Sequence, residues 1–191
     1  MVAVRQIDEA TIRPLTFDEV LQMVEAGILD EEDRVELVDG VLVAMSPEGI
    51  AHVEVIADLN RELTSAYPRA FDVRVQSTYP LDKWQYRQPD LVVAHRIRGR
   101  WLQPDDVVLV VEVAQTSIRY DTGRKARDYA TWGVAEYWVV DIDRRRIVAH
   151  RDPGADGYGT VEVIAADTAV GLPQVAVELR LAEVLPPASP I

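Results

Sequence analysis

Cysteine is missing from the 191 residues, which excludes disulfide scaffolds, thiolate zinc sites and cysteine nucleophiles. Long hydrophobic runs are missing too: the stretch from Val107 to Val111 is short and is interrupted by Glu112, so no segment is long enough to span a bilayer. The first ten residues, MVAVRQIDEA, hold no apolar stretch of signal-peptide length, and the expectation is a mature, cytoplasmic protein without a membrane partner. Basic charge is in deficit, with 20 Lys and Arg against 32 Asp and Glu, a formal net charge of −12. That balance excludes a protein coated all over with basic charge, while leaving room for a local basic groove. No glycine-rich phosphate loop follows any strand-like run, and no internal repeat or linker divides the chain.

What is present suits one folded domain over residues 1–191: 48% of the residues are hydrophobic and 27% charged, enough to bury a sizeable core. Thr16 stands where a helix cap belongs, followed by Phe17, Val20, Leu21 and Val24 at helical spacing and Gly27 as a stop. After an acidic run from Asp30 to Asp33, two β-like runs flank Asp39-Gly40, a hairpin turn signal. His52, Val55, Ile56, Leu59 and Leu63 mark the longest helix, from Glu48 to Ala66. Phe71 to Val75 alternates as a half-buried strand, whereas Leu91 to Ala94 and Val107 to Ala114 are apolar on both faces and read as central strands. A second helix is expected from about Asp121 to Trp132, closed by Gly133, then a strand at Glu136 to Asp141 and C-terminal hairpins. The order is that of a mixed α/β sandwich.

The chemistry rests on carboxylates in expensive places. Glu112 lies within a strand whose neighbours are apolar on both faces, and a buried carboxylate must be paired, protonated or bound to a metal. A structural ion pair with Arg or Lys and a metal site are both open for it. Asp90 follows Pro89, opens the strand Leu91 to Ala94 and precedes Glu112 by 22 residues. If the two strands are antiparallel neighbours, both carboxylates face one spot. They repel each other unless a cation sits between them, and an oxygen-rich site with water suits Mg²⁺ or Mn²⁺. Taken alone, Asp90 reads first as a solvated residue that starts a strand after a proline.

Pro89-Asp90, Glu112-Val113-Ala114, Tyr120-Asp121-Thr122-Gly123-Arg124-Lys125, Tyr129-Ala130, Gly133-Val134 and Glu136 to Asp141 follow one another in an order that resembles a known family. So do Arg34 to Gly40, Ser46-Pro47 and His52 upstream. The family is Uma-two, of restriction-endonuclease-like proteins, within the PD-(D/E)XK nuclease superfamily, and the likeness covers roughly residues 15 to 185.

The resemblance implies a mixed sheet flanked by helices with C-terminal β-hairpins appended, and a Mg²⁺-dependent or Mn²⁺-dependent endonuclease acting on DNA. By the same resemblance Asp90 and Glu112 would ligate the metal, with the backbone carbonyl of Val113 as a third oxygen and Glu36 as an upstream acid that completes or water-links the site. The parent superfamily places a lysine two residues after the glutamate, where this chain has Ala114; in this family a lysine from the following helix serves instead, here Lys125. Gln115 stands where relatives carry Asp or Ser, and His52 and Tyr129 are candidates for supporting roles. Phosphodiester hydrolysis needs these types: carboxylates to hold a metal that acidifies water, and a cation to orient that water.

Three alternatives temper single residues. His52 shares the apolar face of its helix and reads first as a hydrogen-bonded core histidine, and Lys125, flanked by Arg124 and Arg127, as part of a solvated helix face. Arg96, Arg98 and Arg100 between the two site strands, with Arg124 on the second helix, are the candidate phosphate contacts, although charge runs are commonly solubility devices. Trp84, Tyr86 and Trp101 are expected in loops near them, available to stack on bases. Competing functions are a non-catalytic binding module for nucleic acid or protein, and a metal-dependent hydrolase of a small phosphoester. A homodimer is expected by analogy with enzymes that cut both strands of a duplex.

Overall fold

The computed structural model describes residues 12–30 and 33–187. The N-terminal decapeptide and the centre of the acidic run, Glu31-Glu32, lie outside the described residues. Two compact units are present: one runs to Ser46 and takes in Pro80–Arg87, and the other comprises Pro47–Tyr79 and the chain from Gln88.

In the first unit, helix α1 (Phe17–Glu25) starts as its residues dictate. Thr16 Oγ1 accepts the Glu19 N–H at 3.2 Å and the Glu19 carboxylate accepts the Thr16 N–H at 2.8 Å, a reciprocal capping box. Strands β1 (Val35–Val38) and β2 (Val41–Ala44) form the expected hairpin, with Asp39 at φ 51° and Gly40 at φ 77°. A side chain at Gly40 would also collide with Pro14. Strands β4 (Tyr79–Asp82) and β5 (Gln85–Arg87) complete a four-stranded sheet in the order β2-β1-β5-β4. This pair corrects one expectation: Tyr86 is not a loop residue open to bases but a buried strand residue whose ring meets Phe17 at 5.5 Å. Trp84 does occupy the turn between the two strands, and Trp101 is exposed.

The second unit is built on a six-stranded sheet in the order β10-β9-β8-β7-β6-β3. Its members are β3 (Phe71–Val75), β6 (Leu91–His95), β7 (Val107–Ala114), β8 (Glu136–Asp141), β9 (Arg146–Gly154) and β10 (Gly157–Ala165). All eight residues of β7 are buried, as a strand apolar on both faces must be. β6 and β7 are antiparallel neighbours, as expected, and β7 and β8 are parallel. The C-terminal hairpin β9–β10 extends the main sheet, and a small ribbon of β11 (Ala169–Gly171) and β12 (Glu178–Arg180) follows.

Helix α2 (Ile50–Ala66) inserts Val55, Ile56, Leu59 and Leu63 into one core with Leu91, Val93, Leu109, Val111 and Val113. Each such side chain contributes about 1.5–3 kcal/mol of burial. A helix spanning 118–131, called α3, connects β7 to β8 and packs against β9 and β10. It begins three residues before the expected start at Asp121, and it is irregular: an α-helical turn (Ile118–Tyr120) passes into a π-helical segment (Asp121–Lys125) and then into Ala126–Thr131. Gly133, at φ 79°, closes it as expected.

Candidate active site

Asp90 immediately precedes β6, and the β6–β7 register pairs Leu91 with Val111. One step further along, Asp90 falls opposite Glu112. Two donors fix Asp90: its Oδ2 accepts the Val113 N–H at 2.8 Å, and its backbone carbonyl accepts the Gln76 N–H at 3.1 Å. The aspartate is therefore clamped across the ends of β6 and β7, and only 4% of its surface is exposed.

Glu112 is equally buried, and its partner is Lys125. The lysine Nζ lies 2.9 Å from Glu112 Oε1 and 3.9 Å from Asp121 Oδ1, with all three side chains buried. The Tyr129 hydroxyl donates to the same Glu112 Oε1 at 3.2 Å. Lys125 is thus not on a solvated helix face. The π-helical segment widens one turn, and its five-residue hydrogen-bonding step turns Asp121 and Lys125 together toward the sheet; such turns recur at functional sites.

From the other side comes α2. His52 Nε2 stands 3.3 Å from Asp90 Oδ2, and its Nδ1 is 3.9 Å from Glu48 Oε1. Burial pulls the imidazole pKa down, but the hydrogen bond and charge of Asp90, the charge of Glu48 and the Val113 carbonyl outweigh it and leave the pKa raised. His52 is therefore not a residue of the apolar core: it reaches two of the three groups that the sequence resemblance assigned to a metal. Glu48 is held in place by the Gln76 amide, which donates to its Oε1.

Among the described residues, ligand atoms of Glu48, His52 and Asp90 all lie within 4.8 Å of one another. Two carboxylates and one imidazole meet here, with the Val113 carbonyl beside His52, and the oxygen donors among them suit Mg²⁺ or Mn²⁺. One further observation supports the fit: His52 Nδ1 is shielded from solvent and has no hydrogen-bond partner.

The other expected residues are placed as follows. Glu36 belongs to the first unit, where its carboxylate accepts from Arg87 Nη1 at 3.1 Å in a buried ion pair. Gln115 is exposed, and its Oε1 would lie 3.5 Å from a Cβ placed on Gly49, just before α2. Arg98 pairs with Asp72 at 2.7 Å, Arg96 with the same aspartate at 3.8 Å, and Arg124 with Asp128 at 3.8 Å. Arg100 holds Asp106 through two bonds of 2.6 and 2.8 Å. Sequence reasoning missed Glu48 and Asp121 as members of the site. Their signal was spacing: each lies four residues before a residue that was singled out, His52 and Lys125.

Comparison with known families decides the lineage. Residues 17–183 match the Uma2 family, described as "Putative restriction endonuclease". The chain belongs to this family. Among solved structures, it is similar to a putative nuclease belonging to DUF820 from Anabaena variabilis ATCC 29413, at 17% identity and a TM-score of 0.72, with 90% of this chain and 97% of that one covered. At that identity the likeness establishes the fold. No curated protein matches the chain. Membership of the Uma2 family agrees with the resemblance drawn from Pro89-Asp90 and the block from Glu112 to Asp141, and the mixed sheet flanked by helices is the fold that it implied.

Proposed function

We propose that this Uma2 protein is a divalent-metal-dependent endonuclease that hydrolyses phosphodiester bonds in DNA, in the cytoplasm. The observation that carries this reading is the placement of Asp90 opposite Glu112, with Lys125 bonded to the glutamate.

Asp90 and Glu112 are the proposed metal ligands, joined by the Val113 carbonyl and, from α2, by His52 and Glu48. Bound there, Mg²⁺ or Mn²⁺ would acidify a water molecule and neutralise charge developing on the phosphoryl group. The protein's own residues do the rest. The Val113 N–H fixes the rotamer of Asp90, so that this carboxylate meets a cation without first reorganising. Lys125 supplies a fixed positive charge beside Glu112, suited to orienting the attacking water and to offsetting phosphate charge. No cysteine, and no serine–histidine pair, is needed for this chemistry.

Arg96, Arg98, Arg100 and Arg124 are the proposed phosphate contacts. Each faces a carboxylate, but the arginine side chains are about half exposed or more, between 47% and 63%. Exposed pairs of this kind are worth only about 0–1 kcal/mol, so a phosphate can replace the carboxylate at little cost. The same pairs favour a second reading, hydrolysis of a small phosphoester, since they leave little unopposed basic charge to hold a duplex.

The test uses purified protein with supercoiled plasmid and, separately, bis-p-nitrophenyl phosphate. Nicking that needs Mg²⁺ or Mn²⁺, stops with EDTA and disappears in Asp90→Asn supports the endonuclease. Cleavage of the small ester alone supports the second reading, and no cleavage of either removes both.

A further inference from the structure

We propose that Tyr129 is a positioning residue, whose hydroxyl fixes the orientation of the Glu112 carboxylate and so sets the affinity of the site for its metal. The inference rests on the proposed metal-binding role of Glu112. Two donors converge on one oxygen, Glu112 Oε1: Lys125 Nζ at 2.9 Å and Tyr129 OH at 3.2 Å. They differ in what they can enforce. An ammonium at the end of a four-carbon stem is a point charge that follows the carboxylate as it swings. A phenol on a packed ring is directional and holds it still.

The Tyr129 ring is held in that way. It is fully buried and meets the Tyr137 ring at 4.9 Å, and Tyr137 in turn donates its hydroxyl to the Asp121 carbonyl at 3.0 Å. Asp121 opens the π-helical segment that ends at Lys125. The ring contact holds the plane of Tyr129, and both donors reach Glu112 from the same helix, Lys125 at the end of its π-helical segment and Tyr129 four residues on. Partners that orient a metal-binding carboxylate in this manner matter for metal affinity by about 10–100-fold.

The experiment is a Mn²⁺ titration of the full chain without substrate, followed by the electron paramagnetic resonance signal of free Mn²⁺, on wild type, Tyr129→Phe and Tyr137→Phe, with thermal melting of each. Tyr129→Phe should raise the Mn²⁺ Kd about tenfold, while Tyr137→Phe, which keeps the phenol on Glu112, should stay within about twofold of wild type. An unchanged Kd in Tyr129→Phe overturns the proposal, whatever the melting temperature does. Equal weakening in both variants also overturns it, since the effect would then be one of packing. A wild type that binds no Mn²⁺ fails the metal reading itself and takes this inference with it, whereas wild-type binding with an unaffected Tyr129→Phe removes the inference alone.

Discussion

Lys125 Nζ lies 2.9 Å from Glu112 Oε1, and the two side chains are 7% and 6% exposed. A buried pair of this kind has a definite consequence for stability. If Glu112 only repelled Asp90, its removal would leave the fold intact or strengthen it. Because it pairs with a buried ammonium, Glu112→Ala strands that charge, and the expected loss is about 3 kcal/mol of unfolding free energy without metal. Glu112→Leu combined with Lys125→Met should recover most of it, which chemical denaturation of the single and double variants would measure.

Lys125 is also placed to act in the reaction. Lys125→Met should lower the cleavage rate by about two to three orders of magnitude, as loss of a preorganised charge does, while Mn²⁺ still binds. A wild-type rate in a plasmid-nicking assay would remove the lysine from the mechanism. Ala114, where the parent superfamily carries its lysine, is fully buried at the end of β7, so a lysine there would have to push its neighbours aside.

The arginine pairs predict an unusual response to neutralising acids. Asp72→Asn frees Arg96 and Arg98 from their carboxylate. DNA affinity should rise in that variant, and the slope of log K against log salt should steepen by up to about 0.9 for each phosphate newly contacted. Replacing Arg96, Arg98 and Arg100 with alanine should weaken binding for all sequences alike. No change in either variant would favour the small phosphoester.

His150 gives a pH dependence. It is buried between the rings of Tyr137 and Tyr158, and burial lowers its pKa, partly opposed by the carbonyls of Tyr137 and Val148. The unfolded chain takes up the proton at about pH 6.5 and the folded chain only below that. The stabilisation is therefore full above about pH 6.5 and is lost as the pH falls through that value toward the folded pKa. Melting temperatures between about pH 7 and 5 should fall more steeply for wild type than for His150→Phe.

Much of this site was legible in the residues, for reasons that can be named. Two apolar strands in succession pair as antiparallel neighbours, and that register sets Asp90 opposite Glu112. The capping box at Thr16 and the Asp39-Gly40 turn are local chemistry and were readable for the same reason. Strands β4 and β5 were not, because four-residue and three-residue runs next to a proline and a charged turn carry no periodicity. The π-helical segment has no residue signature either: it is a choice of backbone partner, the Ala126 N–H bonding to the Asp121 carbonyl five residues back. His52 misled because it shares the spacing of Val55, Ile56 and Leu59. It lies in the first turn of α2, where that face has passed beyond the core and meets Asp90.

The most direct test of the account is a crystal of the full chain soaked in Mn²⁺, with diffraction recorded where manganese scatters anomalously. The account predicts an anomalous peak bonded to the carboxylates of Asp90 and Glu112. No peak there, with Glu112 still bonded to Lys125 and Tyr129 and Asp90 to His52 and the Val113 N–H, would contradict it and leave these residues as a structural ion-pair network.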